Sequence, residues 1–151
     1  MRSASSSSAE IKLRKLNKEK IIKQIVREIM QLRGILCAVL FGSLAEDKYT
    51  GSSDADVLLV IEKSIPMAER YRRYNRIMAD TEVQLFILTL DEVMSRIDSG
   101  DTFVINIIMT GIPLMGEEIY RRIRERCEIA IRKYGLRRTN FGWVCTKGKS
   151  E

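Results

Sequence analysis

Two apolar runs around a polar segment constrain this chain most. Ile35-Leu36-Cys37-Ala38-Val39-Leu40-Phe41 has no polar position, nor has Val57-Leu58-Leu59-Val60-Ile61; both predict buried strands. Gly42-Ser43 closes the first run at a sharp turn, and Asp54-Ala55-Asp56 opens the second. Strand side chains alternate between faces, so Asp54 and Asp56 project from one side. Two carboxylates facing one way beside a Gly-Ser turn suit a hard divalent cation and a phosphate chain.

The flanking segments supply the scaffold. Ile22, Ile25, Val26, Ile29 and Leu32 recur at the spacing of one helical face, placing a first helix between Ser8 and Arg33 that Gly34 ends in a left-handed turn. Ser43 and Glu46 have capping-box spacing, so a short helix is expected at the Gly-Ser turn, its free N–H groups offering an anion site. A helix starts near Pro66, with Met67, Tyr71, Tyr74 and Met78 as its apolar stripe and Arg70, Arg72, Arg73 and Arg76 on exposed faces.

Val83 to Leu88 forms a third strand, in which Glu82, Gln84 and Phe86 share one face. Thr89 and Glu92 make a second capping box, opening a helix that ends near Gly100. Thr102 to Thr110 is another helix, closed by Gly111. Ile112 to Met115 is an edge strand, because Pro113 cannot donate to a ladder. Glu117 to Tyr134 is an amphipathic helix stopped by Gly135. The order describes a small mixed β-sheet with helices packed mainly on one side, an α/β (α+β) fold. Residues 1–8 read as a disordered segment, 9–135 as one domain and 136–151 as a basic tail carrying Trp143.

Composition narrows the class. A chain of 151 residues buries one core. No apolar run approaches the roughly 18 residues that span a bilayer, and no signal peptide is expected ahead of the domain. Cys37, Cys127 and Cys145 have no metal spacing, and an odd count argues against a disulfide framework. A cytoplasmic protein without a membrane partner is expected. The net charge of +6, from 26 Lys and Arg against 20 Asp and Glu, suits an acidic partner such as nucleotide or RNA without requiring one.

Gly42-Ser43, ten intervening positions, then Asp54-Ala55-Asp56 in an apolar strand resembles the minimal nucleotidyltransferase family of the DNA polymerase β superfamily. Thr89-Leu90-Asp91-Glu92 and Gly111 to Gly116 agree with it, and the resemblance spans about Ile21 to Tyr134. It implies a nucleotidyltransferase-like fold and transfer of a nucleoside monophosphate, AMP from ATP, to a hydroxyl on a protein or RNA, with two Mg²⁺ ions (or Mn²⁺).

By that resemblance Gly42, Ser43 and Lys48 hold the triphosphate, while Asp54 and Asp56 ligate the metals. The family's third carboxylate position holds Gln84, so Glu82, two residues earlier on the same face, is expected to substitute for it among the metal ligands. Small members of the family are associated with an antitoxin role beside a HEPN-domain partner, and the ten-residue spacing matches that variant. A catalytically weakened or inactive antitoxin module, acting by contact, is the second reading. A chain this small needs a partner or a homodimer to recognise its acceptor.

Overall fold

A computed structural model describes residues 8–42, 44–46, 55–75, 83–140 and 142–146. The helix α1 (Ser8–Ile29) leads through the left-handed Gly34 (φ 76°) into strand β1 (Ile35–Phe41). Strand β2 (Ala55–Ile61), helix α2 (Met67–Asn75) and strand β3 (Val83–Thr89) follow. Helices α3 (Leu90–Asp98) and α4 (Thr102–Thr110), strand β4 (Ile112–Met115) and helix α5 (Glu117–Tyr134) complete the main layer structure.

The sheet order is β3-β2-β1-β4. β2 and β3 run parallel, while β1 is antiparallel to both β2 and β4. β4 is an edge, as Pro113 requires.

Because the strands are apolar on both faces, both faces are covered. Cys37, Val39, Leu58, Val60 and Leu88 pack against α3, α4 and α5. Ala38, Leu40, Val57, Leu59 and Ile87 pack against Ile25 and Ile29 of α1 and Tyr74 of α2. Three of the five described helices thus lie on one face, and α1 and α2 cover the other. Cys37 and Cys127 are core residues, and burial pushes both thiols up to about 12, so they stay protonated and act as small apolar groups.

One expectation is corrected. Arg70 is not on an exposed face of α2 but 3% exposed, while Met67 from the expected apolar stripe is 48% exposed. Arg70 faces inward because its donors are matched there. It donates to the Ile65 and Ile87 carbonyls at 2.6 and 3.2 Å, and reaches Glu92 through two nitrogens at 2.7 and 3.1 Å. Glu92 also accepts from the Thr89 N–H at 2.8 Å, and its own N–H donates to Thr89 Oγ1, completing the expected capping box.

The chain continues after Gly135 in two short strands. Residues that read as a tail form a hairpin, β5 (Leu136–Thr139) with β6 (Gly142–Cys145), and Trp143 packs against the α3–α5 core. Its indole N–H donates to Asn106 of α4 at 3.1 Å. Among the described residues no helix is long and apolar enough to cross a membrane.

The Arg70 guanidinium holds the Glu92 carboxyl below the usual glutamate range. A depressed folded-state value gives stability that is present above the unfolded value and lost as pH falls through the folded one. Urea midpoints are therefore expected to drop on the acid side of pH 5, and the drop should be shallower in Glu92→Gln. An identical acid limb in that variant would remove this pair from the explanation.

Candidate active site

The ends of three strands meet at one edge of the sheet. β1 finishes with Phe41-Gly42, β2 begins with Ala55-Asp56, and β3 begins with Val83-Gln84. Asp56 is in register with Phe41 on one side and Gln84 on the other. Cross-strand partners share a face, so Phe41, Asp56 and Gln84 form one row, on the face covered by α3–α5. Phe41 and Phe86 pack on the core of that face, whereas Asp56 is half-buried and Gln84 exposed at its open margin.

Gly42 fits here for two reasons. Its φ is +81°, where a side chain is strained, and a Cβ would collide with the Asp56 carboxylate. The backbone of the turn therefore lies directly against the carboxylate. Glu46 N–H donates to the Gly42 carbonyl at 3.1 Å, so residues 44–46 make one turn; no helix is assigned to them. Leu44 is buried and anchors that turn in the α1–α2 core. Arg138 of the hairpin reaches Glu46 at 2.9 Å and braces it from outside.

Of the expected site residues, the structure brings together Gly42, Asp56 and Gln84. Ser43, Lys48, Asp54 and Glu82 lie outside the described residues. Among the described residues no group of three or more acids, cysteines or histidines is suited to a metal. Asp56 and Gln84 nonetheless offer only oxygen ligands toward a cation, the donor type that Mg²⁺ takes. Asn106, Arg138 and Trp143 support this region and escaped sequence reasoning, since their partners lie 37 and 92 residues away.

The family model for polymerase beta nucleotidyltransferases matches residues 19–119. Among solved structures, a toxin–antitoxin with AMP-PNP is similar at 16% identity and a TM-score of 0.52, covering 76% of this chain and 86% of that one. Two mutant MntA toxin–antitoxin structures are similar with a TM-score of 0.50. One is 14% identical and covers 76% of this chain and 86% of that one. The other is 16% identical, covering 75% and 85%. At these identities the likeness is one of fold. No curated protein matches significantly.

Proposed function

The chain belongs to the polymerase beta nucleotidyltransferase family, and on that premise we propose that it transfers AMP from ATP to a hydroxyl on a protein or RNA acceptor. The acceptor oxygen bonds to the α-phosphorus, the bond to pyrophosphate breaks, and the hydroxyl proton leaves to solvent. The observation that carries this reading is the left-handed Gly42 backbone seated against Asp56, with Gln84 beside it in register. The Cβ direction of Gly42 is taken up by the Asp56 carboxylate, so that carboxylate lies against the turn, where it could ligate the metal of a metal–triphosphate.

Asp54, Asp56, Glu82 and Gln84 would hold Mg²⁺ or Mn²⁺, and Gly42, Ser43 and Lys48 the phosphates. Bound ions would lower the barrier by neutralising the triphosphate and activating the attacking oxygen. Cys37, Cys127 and Cys145 form no disulfide among the described residues, which fits a reducing, cytoplasmic setting. The AMP-PNP and toxin–antitoxin context of one similar structure is in keeping with an adenosine triphosphate as substrate and a toxin protein as partner.

A second reading, an antitoxin module that binds nucleotide and acts by contact, is favoured by one observation. The position beside Asp56 holds the neutral amide of Gln84, so the site carries one negative charge fewer than a third carboxylate would give.

Calorimetry with ATP, GTP, CTP and UTP, with and without Mg²⁺, tests the first reading. Magnesium-dependent binding of one triphosphate is expected, and no binding of any would sink the enzyme. Mass spectrometry of a HEPN-type partner after incubation with MgATP then separates the readings. Added AMP supports transfer, whereas neutralisation of the partner without a mass change supports contact alone.

A further inference from the structure

Phe103 is 52% exposed, although it sits in the first turn of α4 against the core face. Its ring makes edge-to-face contacts with Phe41 (centroids 6.2 Å, 88°) and Phe86 (5.4 Å, 78°). No ring among the described residues lies flat upon it. Phe41 is the register partner of Asp56, and Phe86 follows Gln84 by two residues on the same face. Two residues of strand advance about 7 Å. The exposed ring therefore borders the Asp56–Gln84 margin, touching Phe41 of that row and Phe86 of the next.

The ring is also held in place. Asp101 caps α4 by accepting from the N–H groups of Phe103 at 3.0 Å and Val104 at 3.3 Å. Arg96 bridges to Asp101 at 3.7 Å and lies over Phe86 at 6.0 Å. The two neighbouring phenylalanines fix the ring without covering it. A fixed, half-exposed aromatic beside the proposed phosphate site is suited to stack a base.

We propose that Phe103 is the stacking platform for the nucleobase of the bound triphosphate, with the Arg96 guanidinium at its rim. This assignment rests on the nucleotidyltransferase reading above and adds to it the direction in which the nucleoside lies: from Gly42 and Asp56 across the sheet margin toward the start of α4. Stacking is tolerant of base identity, so Phe103 contributes affinity for any nucleoside, more for the larger purines than for pyrimidines.

The test compares two probes by calorimetry in Mg²⁺: ATP, and inorganic tripolyphosphate, which has no base. In Phe103→Ala the affinity for ATP should fall on the order of ten- to a hundredfold, with tripolyphosphate binding unchanged. Phe103→Leu, which keeps apolar packing on Phe41 and Phe86 but has no aromatic face, should behave like Phe103→Ala and carries the test if alanine unfolds the protein. Phe103→Trp should restore ATP binding.

Unchanged ATP affinity in the leucine variant overturns the platform, as does an equal loss for both probes, which would make Phe103 a structural support of the phosphate site. A wild type that binds tripolyphosphate but gains nothing from adenosine overturns the platform and leaves the phosphate site standing. A wild type that binds neither probe overturns the underlying reading and the platform with it.

Discussion

Asp56→Asn is expected to weaken magnesium-dependent nucleotide binding on the order of a hundredfold, and to stop transfer, while the protein stays folded. The substitution keeps size and hydrogen-bonding capacity and removes one charge. Its side chain lies half-buried at the sheet margin and outside both apolar clusters, so packing changes little. A hard cation loses affinity steeply with each ligand charge withdrawn, and the next neighbour of Asp56 in the row is a neutral amide that would not make up the lost charge. Calorimetry in Mg²⁺ reads the affinity, and a melting curve within a few degrees of wild type shows that the fold is intact. Binding that survives at full strength would mean that the carboxylate holds no metal and that Gly42 sits against it for structural reasons only.

The second large effect falls on stability. Gly116 caps the start of α5 at φ +74°, and a Cβ there would collide with the Leu36 carbonyl and approach Cys37 Cα to 2.9 Å. Neither obstacle is a side chain that can swing away; both belong to the backbone of β1. Left-handed strain alone costs about 1–3 kcal/mol, and moving α5 off β1 adds to it. Gly116→Ala should therefore lose about 3 kcal/mol or more and lower the melting temperature by roughly 10 °C. Gly142 provides the control, since its φ is +107° but nothing lies within 4 Å of its Cβ position. Gly142→Ala carries strain without collision and should cost clearly less. Equal losses in the two variants would show that the approach of α5 to β1 is not what limits the substitution.

Local signals in the sequence were faithful where the structure is local. The Thr89–Glu92 box, the α4 limits at Thr102 and Thr110 and the stop at Gly135 are set by backbone groups within one turn of the residues that satisfy them. The margin carrying Gly42, Asp56 and Gln84 was legible because strand alternation converts spacing directly into facing. What escaped depends on partners far along the chain. Arg70 was assigned to a solvated surface because a charge in a helix defaults there; its carboxylate partner is 22 residues away. The hairpin was hidden by its basic residues, and the role of Trp143 by an acceptor on α4. Phe103 drew no notice because a lone aromatic in an apolar helix reads as core.

The two-sided sheet carries a further consequence for how the site is placed. A strand with one wet face cannot slip by one residue without driving apolar groups into water, but β2 is apolar on both faces over most of its length. Hydrophobic burial alone therefore opposes a slip only weakly. A slip would put Ala55 or Val57 in the row between Phe41 and Gln84, and the margin would carry no carboxylate there. The alignment is specified instead at the strand ends, where Gly34 turns into β1, Gly42 closes over Asp56 and Gly116 abuts Leu36. In this protein the glycines act as the index marks of the sheet, and the chemistry at its edge is only as well defined as they are.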